Sequence, residues 1–458
     1  MLEVVNPYDL KVIGAAPVSD WETIDAYLET ADKLHRQRSA WLPAYERIKI
    51  LKNAAKIMQE RSDILAFQIA NEGGKPLVDA RIEVQRAIDG VNLCIKELSH
   101  LTGREIPMDL TKGGAGRMAF STREPIGPVV AVSAFNHPLN LIVHQVAPAV
   151  AVGCPVIVKP ADDTPLSCIA FVEILHEAGL PEEWCRYVCC DIPTAEKLVT
   201  DTRVAFFSFI GSAKVGWMLR SKLSPGTRCA LEHGGAAPVI VDEDADIDRM
   251  LPELVKGGFY HSGQVCVSVQ RIFAPKGQAH SIATLLAAAS KKLTVGNALD
   301  EETDCGPLIR ATEVARVADW VDEAKASGGE ILSGGEQLGK TTYAPTVIYN
   351  PSDEATISRN EIFGPAICVY GYDTFNEAIS RANNLPFAFQ ASVFTQSLAS
   401  SMHAVQNLDA SAVMVNDHTA FRVDWMPFAG RGQSGHGVGG IGYTMHEMTQ
   451  EKMAVIKL

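Results

Sequence analysis

The sequence predicts an α/β fold with a doubly wound parallel sheet, a second α/β region after Gly235 and a small β arm. Short, continuous apolar runs recur from residue 126 onward, and such runs are typical of strands buried on both faces. Helical segments separate these runs, so repeated β-α-β units and a parallel sheet are expected. The 458 residues allow two or three domains of ordinary size.

The N-terminal segment is expected to form a strand pair followed by helices. Apolar residues on either side of the Asn6-Pro7 turn indicate the two strands. Residues 19–22 match a capping box, which predicts a helix extending to about residue 37. Apolar residues at helical spacing predict a second helix, which follows Pro43 and ends near Ser62.

A third helix is expected over residues 78–101, and its charge run at residues 83–86 is expected on a solvated face. Residues 108–125 differ in composition, because a Gly-rich segment there precedes an alternating one. This pattern indicates an exposed hairpin outside the main core, and such hairpins often pair with another subunit. Residues 451–458 are predicted to form a last strand.

The predicted parallel sheet contains strands at residues 129–132, 156–158, 186–189 and 204–207, with helices between them. Ligands of doubly wound sheets bind beyond the carboxyl ends of the strands. Four residues follow predicted strands in this way: Lys159, Asp162, Gly211 and Ser212.

Composition excludes several classes of partner. The chain has 41 basic and 54 acidic residues, a net charge of −13, and no block of Lys or Arg, so nucleic acid and anionic membranes are poor partners. The ten cysteines form neither a disulfide framework nor a metal-ligand spacing, which favours a reducing compartment and no metal site. Without a signal segment or an apolar run of spanning length, a cytoplasmic protein is expected.

Cys266 and Glu232 are the strongest candidates for chemistry. Cys266 follows a Gly-Gln turn between apolar runs, although a buried structural thiol is the usual role of an isolated cysteine. Glu232 stands beside two glycines ahead of the predicted strand 238–241, where a carboxylate is costly unless it has a function. A cysteine nucleophile and a glutamate base together suggest acyl-enzyme chemistry followed by hydrolysis.

A turn at Gly211-Ser212 joins a strand to a helix, and backbone N–H groups at a helix N-terminus suit a pyrophosphate. The segment is not a G-x-G-x-x-G motif, and tight packing explains such a turn equally well. Lys159 and Asp162 are placed to contact ribose hydroxyls, but a solvated acidic loop is an equal alternative.

Seven motifs together resemble the aldehyde dehydrogenase superfamily, in its order and spacing and over nearly the whole chain. They are residues 135–138 (FNHP), 159–162 (KPAD), 209–216 (FIGSAKVG), 232–235 (EHGG), 263–266 (GQVC), 361–365 (EIFGP) and 427–435 (PFAGRGQSG).

The resemblance implies a role for each motif. Cys266 would be the nucleophile, Glu232 the base that activates water, and Asn136 would stabilise the oxyanion together with the backbone N–H of Cys266. The implied cofactor is NAD. Its implied contacts are Lys159 and Asp162 at the adenosine ribose, Gly211 and Ser212 at the pyrophosphate, Glu361 at the nicotinamide ribose and Phe363 at the nicotinamide end.

The motifs also depart from the usual pattern of the superfamily. Ala134-Phe135 replaces Pro-Trp, and His233 and Ala236 replace Leu and Lys. Asp162 stands where many NAD-linked members have Glu, and a carboxylate there would repel a 2′-phosphate. NAD is therefore expected to be preferred, and NADP is less favoured.

The expected substrate is a short aldehyde with an anionic or hydroxyl tail. Alignment with the superfamily places His137, His144 and Arg422 at positions that are often aromatic, so the substrate mouth is expected to be polar and cationic. Alternatively, Arg422 pairs with Asp417 or Asp424. Val265 stands where members that act on phosphorylated aldehydes often have Arg, so a phosphorylated aldehyde is a less expected substrate.

The resemblance further implies an NAD-binding domain (residues 1–107 and 126–234), a catalytic domain (235–433) and an oligomerisation arm (108–125 and 434–458) of a homodimer or homotetramer. Two alternatives to a non-acylating aldehyde dehydrogenase are open. A CoA-acylating enzyme usually lacks the base corresponding to Glu232, and a catalytically silent relative would not need Asn136, Glu232 and Cys266 together.

Overall fold

The computed structural model describes residues 1–458. The N-terminal half contains β1 (Leu2–Val5), β2 (Val12–Ala16), α1 (Trp21–Arg36), α2 (Ala44–Glu60), α3 (Ser62–Gly73), α4 (Leu77–Glu97), β3 (Glu105–Ile106), β4 (Arg117–Pro125), β5 (Val129–Val132), α5 (Asn140–Val152), β6 (Val156–Lys159), α6 (Pro165–Glu177), β7 (Cys185–Tyr187), α7 (Ile192–Val199), β8 (Phe206–Ile210), α8 (Ala213–Arg220) and β9 (Arg228–Glu232).

The C-terminal half contains β10 (Ala237–Val241), α9 (Ile247–Phe259), β11 (Val269–Pro275), α10 (Lys276–Ser290), α11 (Ala311–Ala326), β12 (Glu330–Ser333), β13 (Thr346–Tyr349), α12 (Thr356–Arg359), β14 (Ala366–Tyr372), α13 (Phe375–Ala382), β15 (Phe387–Ala388), β16 (Gln390–Phe394), α14 (Leu398–Asn407), β17 (Ala412–Val415), β18 (Arg431–Gly432), β19 (Gly435–His436), α15 (Ile441–Glu447) and β20 (Thr449–Lys457). None of the helices combines the length and the apolar character needed to span a bilayer.

The first sheet has the strand order β19-β9-β8-β5-β6-β7, in which β5 to β9 are parallel and β19 is an antiparallel edge strand. Val129 and Ala131 of β5 pack in the core formed with α2 to α6, whereas Val130 packs in the core formed with α1, α7 and α8. Because the strands are covered on both faces, their apolar runs are continuous. The predicted doubly wound sheet is confirmed.

The second sheet has the order β12-β13-β14-β11-β10-β16-β17, with only β12 antiparallel. Ile240 and Phe273 face a core containing α11, α13 and α14, and Val239 and Ile272 face a core containing α9 and α10. The second sheet and the helices on its two faces form the α/β region that was predicted after Gly235.

The arm is a separate three-stranded sheet with the order β20-β4-β3. Strand β20 pairs with β4 over nine residues, and β3 pairs with the other edge of β4, so the hairpin begins at Glu105. Strand β19 and helix α15 lie within the segment 434–458 but pack against the first sheet and its helical core. We propose to restrict the arm to residues 103–125 and 449–458.

Helix α1 is confirmed, and its N-cap is Asp20, whose carboxylate accepts a hydrogen bond from the Thr23 backbone N–H at 2.9 Å. Helix α3 was not predicted. It directly follows α2, because Leu65, Ala66 and Ile69 continue the apolar face into the helical core that covers one face of the first sheet.

The expectation that residues 83–86 form a solvated face is wrong. Glu83 is 1% exposed, and its Oε1 accepts hydrogen bonds from the backbone N–H groups of Leu139 and Asn140, both at 3.0 Å, while Lys75 pairs with its Oε2. Arg86 forms an ion pair with Asp424. The unpaired N–H groups that begin helix α5 require an acceptor, and Glu83 supplies it.

Candidate active site

A cavity of about 630 Å³ lies beyond the carboxyl ends of β5, β8 and β9. Strand order reverses between β5 and β8, which is where doubly wound sheets bind ligands. Nine of the predicted site residues line this cavity: Asn136, His137, Gly211, Ser212, Glu232, Cys266, Glu361, Phe363 and Arg422. Three do not line it: Lys159, Asp162 and His144.

A rigid turn presents Cys266 to the cavity. His261, Ser262 and Gly263 all have positive φ angles, and a Cβ at position 263 would lie 2.2 Å from the Gly364 carbonyl oxygen. The buried Gln264 side chain holds the turn, because its Oε1 accepts a hydrogen bond from the Ile309 N–H at 3.0 Å and its Nε2 donates to the His261 carbonyl at 3.3 Å. The Gly-Gln pair noted in the sequence therefore shapes the turn.

The environment of Cys266 favours the protonated thiol. Burial raises the pKa of Cys266 to about 12, the neighbouring Glu361 and Glu232 act in the same direction, and Arg422 opposes them. In the cofactor-free protein the sulfur is therefore mostly a thiol at neutral pH, and a base or a change of field is required to generate the thiolate.

Asn136 lies next to this turn. Its side-chain Nδ2 donates one hydrogen bond to the Gln264 carbonyl at 2.9 Å, and the residue is 4% exposed. The second N–H of the amide has no protein acceptor and remains available to an oxygen in the cavity. A preorganised donor beside a cysteine suits an oxyanion.

Two partly buried carboxylates border the cavity, and each lies against a glycine. A Cβ at Gly439 would lie 2.1 Å from Oε1 of Glu232, and one at Gly234 would lie 1.6 Å from Oε1 of Glu361. Burial raises the pKa of Glu232, which suits a general base, although the Arg422 charge opposes this shift. Burial raises the pKa of Glu361 to about 8.

The cavity wall also fits a dinucleotide. Gly211 and Ser212 precede helix α8, and the Gly211 carbonyl accepts a hydrogen bond from His233 Nδ1 at 2.8 Å. Oε1 of Glu361 is buried without a hydrogen-bond partner, so it can accept from a ribose hydroxyl. Lys159 and Asp162, at the end of β6, form an ion pair of 2.7 Å.

Phe135 and Phe363 form an edge-to-face pair, with ring centroids 5.8 Å apart, and both line the cavity. Phe363 has a φ of 45°, an uncommon angle for a residue with a side chain. The ring is therefore held in place by the turn that also carries Glu361.

Arg422 is the cation of the cavity without a carboxylate partner. Asp424 forms its ion pair with Arg86 and accepts a hydrogen bond from His144 Nε2 at 2.7 Å, so the pairing of Arg422 with Asp424 is not formed. Asp417 lies instead beside His418. The polar contact of Arg422 is Nη2 to His144 Nδ1 at 3.3 Å, and its guanidinium carbon lies 3.5 Å from the Phe428 ring centroid.

His144 is a buried support for Arg422 and not part of the cavity wall. Burial lowers the pKa of His144 to about 4, with the Arg422 charge adding to the effect, so the ring is neutral. A neutral ring donates from Nε2 to Asp424 and accepts at Nδ1 from Arg422. His137 lines the cavity, 3.4 Å from the Tyr260 hydroxyl, and burial lowers its pKa well below the usual value.

Sequence reasoning missed Arg86, Asn140 and Tyr260, which also line the cavity. Tyr260 stands three residues before the motif at 263–266, and that position was its one available signal. Arg86 carried no signal, because its partner Asp424 is 338 residues away in the chain.

These observations agree with comparisons to known proteins. The aldehyde dehydrogenase family model matches residues 1–454, so the chain belongs to this family. It is 36% identical over 458 residues to a 3-sulfolactaldehyde dehydrogenase of Priestia megaterium, covering 100% of this chain and 95% of that protein. It is 34% identical over 460 residues to a lactaldehyde dehydrogenase of Methanocaldococcus jannaschii, covering 99% and 97%.

Solved structures give the same result. Aldehyde dehydrogenase 21 of Physcomitrella patens, in complex with the reaction product succinate, matches with a TM-score of 0.96 and 35% identity, covering 100% of this chain and 95% of that one. Glyceraldehyde-3-phosphate dehydrogenase GapN of Methanocaldococcus jannaschii, complexed with NADP, matches with a TM-score of 0.95 and 34% identity, covering 100% and 99%.

The protein is therefore an aldehyde dehydrogenase that oxidises a small aldehyde with a nicotinamide dinucleotide, NAD or NADP. Neither the CoA-acylating alternative nor the catalytically silent one is favoured by these findings.

Proposed function

We propose that the protein oxidises a short aldehyde with an anionic tail to the carboxylate, and that it prefers NAD to NADP. The observation that carries the proposal is Arg422, a guanidinium in the same cavity as Cys266 with no carboxylate partner. A guanidinium that forms no ion pair is free to bind an anionic ligand, and its planar fork fits a carboxylate or sulfonate through two parallel hydrogen bonds.

Cys266 is the proposed nucleophile. Loss of its proton to solvent lets the sulfur attack the aldehyde carbon, so a C–S bond forms, the carbonyl π bond breaks and the carbonyl oxygen becomes an oxyanion. The free N–H of Asn136 and the backbone N–H of Cys266 donate to that oxygen, and losing one such donor costs about 2.7–4 kcal/mol. Glu361 and Phe363 would hold the nicotinamide end of a bound dinucleotide, which would supply the acceptor for the hydride lost as the thiohemiacetal becomes the thioester.

Glu232 acts in the second half of the reaction. Its carboxylate takes a proton from water as the water attacks the thioester, and the C–S bond breaks to release the carboxylate product and the Cys266 thiol. Burial in the cavity supports this role, because it raises the pKa of Glu232 and so makes it a stronger base.

The preference for NAD rests on Asp162 at the end of β6, where its carboxylate is half exposed beside Lys159. A 2′-phosphate would face this negative charge, whereas ribose hydroxyls can donate hydrogen bonds to it. We expect a higher kcat/KM with NAD than with NADP, and Asp162→Ser should narrow the difference. A wild-type preference for NADP would overturn this part of the proposal.

The test for the substrate compares 3-sulfolactaldehyde with lactaldehyde, which differ only in the sulfonate. The similarity to enzymes named for these two substrates supports this choice. In Arg422→Leu, kcat/KM for 3-sulfolactaldehyde should fall by about 30-fold to several thousand-fold, which corresponds to about 2–5 kcal/mol for a charge left without its partner.

Lactaldehyde should lose far less in Arg422→Leu. Arg422→Lys, which keeps the charge but not the planar fork, should retain part of the selectivity. Equal losses on both aldehydes would mean that Arg422 only holds its loop and that its charge selects nothing.

A further inference from the structure

A second chamber of about 570 Å³ adjoins the catalytic cavity, and Arg86 and Arg422 line both. Its walls come from helices α2 and α4 and from the loop that carries Arg422. The lining residues are Lys52, Arg86, Asp89, Asn92, Leu93, Ile95, Lys96, Arg422, Val423, Asp424 and Trp425. We call this space the outer chamber, and the two shared arginines form the neck between it and the cavity.

The outer chamber is cationic in a protein that is strongly anionic. Four cationic side chains and two carboxylates line it, which gives a local charge of +2 against −13 for the whole chain. One of the carboxylates, Asp424, already pairs with Arg86. Lys52 and Lys96 are exposed and form no ion pair, so their charges act on whatever enters the chamber.

The shape of the chamber strengthens this field. Leu93 and Ile95 contribute apolar walls, and Trp425, 65% exposed, stands in the same lining. A concave surface of one sign with low-dielectric walls focuses field lines and raises the local concentration of oppositely charged ligand. Evenly spread surface lysines would not do so.

We infer that the outer chamber is the entrance for an anionic aldehyde, with Lys52 and Lys96 attracting its charged tail and the two arginines receiving it at the neck. This inference rests on the proposed anionic substrate. It adds a specificity-determining site outside the catalytic cavity, and it explains how an anion reaches the active site of an enzyme whose net charge would repel it.

The test uses the double variant Lys52→Gln/Lys96→Gln and the same two aldehydes. The readout is the ratio of kcat/KM for 3-sulfolactaldehyde to that for lactaldehyde, measured between about 20 mM and about 300 mM NaCl. In the wild type the ratio should fall as salt rises. In the variant it should be about 3- to 10-fold lower at low salt and should depend less on salt.

Lys291→Gln/Lys292→Gln is the matched control, because it removes the same charge from exposed lysines that line neither chamber. Its ratio should follow that of the wild type. If both double variants change the ratio equally, only net charge matters and the inference is wrong. If the wild type prefers the anion but Lys52→Gln/Lys96→Gln keeps the wild-type ratio, the inference fails and the proposed substrate stands. A wild type with no preference overturns both.

Discussion

Single residues decide the charge state of the reacting groups in this cavity. Burial raises the pKa of Cys266, and the nearby Glu361 and Glu232 add to the effect, so its thiol is protonated in the cofactor-free protein at neutral pH. The Arg422 charge lowers the pKa values of Cys266 and of Glu232, so it acts against the effect of burial on both groups. The residue that we propose to bind the substrate tail therefore also tunes the chemistry.

The first prediction concerns the alkylation of Cys266 by iodoacetamide in the cofactor-free protein. Because burial raises the pKa of Cys266 to about 12, the rate should rise about tenfold per pH unit from about pH 7 to about pH 10 without a plateau. Glu361→Gln should raise the rate at about pH 9, since Glu361, whose pKa is about 8, is then charged.

Mass spectrometry of the Cys266 peptide separates this thiol from the other nine. Glu313→Gln is the control, because Glu313 lines the same cavity but pairs with Arg316 at 2.8 Å. A titration of the alkylation rate with a midpoint near pH 8.5, the pKa of an ordinary cysteine, and a plateau above it would contradict the prediction.

The second prediction concerns Glu232. Glu232→Gln should keep a pre-steady-state burst of NADH while steady turnover falls by about 10²- to 10⁴-fold, because hydrolysis of the thioester loses its base. In the wild type, kcat should fall as the pH is lowered through a pKa above 4.5, since burial raises the pKa of Glu232 and only its ionised form accepts a proton. Stopped-flow kinetics would detect loss of the burst, which would instead assign Glu232 to activation of the thiol.

At the scale of elements, two buried glutamates hold the first turns of helices α5 and α6. Glu83 accepts hydrogen bonds from the N–H groups of Leu139 and Asn140, and Glu72 accepts from those of Leu166 and Ser167. Thr164, the residue at the N-cap position of α6, makes no side-chain capping bond. Asn136 lies in the turn just ahead of α5, so Glu83 also helps to fix the proposed oxyanion donor.

The third prediction tests this support. Glu83→Gln leaves Lys75 buried without its partner and should destabilise the protein by about 3–5 kcal/mol, together with a fall in kcat as Asn136 shifts. Lys75→Met/Glu83→Gln should recover stability, because the unpaired charge is gone. Thermal unfolding and steady-state kinetics provide the two measurements.

Glu97→Gln, a less buried position at the end of the same helix α4, is the control and should change stability by less than about 0.5 kcal/mol. If the double variant is less stable than Glu83→Gln alone, the ion pair is not the source of the loss.

At the scale of the whole molecule, the arm presents an apolar face that nothing in the chain covers. Met118 and Phe120 of β4 and Ile456 of β20 lie on the same face by register and are 44%, 40% and 42% exposed. A small sheet with such an exposed apolar face is typical of a subunit contact, which supports the proposed homodimer or homotetramer.

The fourth prediction is that Phe120→Glu/Ile456→Glu shifts the protein to a smaller assembly, because two charges would be buried without partners at the contact. Light scattering after size exclusion measures the mass. Leu338→Glu, at an exposed position outside the arm, should leave the assembly unchanged. A monomeric wild type would contradict the proposal.

The sequence by itself determined the α/β class, the order of most strands and the motifs around Cys266, Glu232 and Asn136. Apolar periodicity and local turn residues depend on neighbours in the chain, so they can be recognised without a structure. The Gly-Gln turn before Cys266 and the glycines after Glu232 are of this kind, and each has a steric reason in the fold.

Only the tertiary structure decided which charges meet. Residues 83–86 have the composition of a solvated helix face, yet Glu83 holds the start of α5 and Arg86 pairs with Asp424, 338 residues away. Because Asp424 pairs with Arg86, it forms no ion pair with Arg422, and the Arg422 guanidinium lies in the cavity without a carboxylate partner. The partner of a charged side chain depends on how distant segments pack, and local sequence carries no record of that packing.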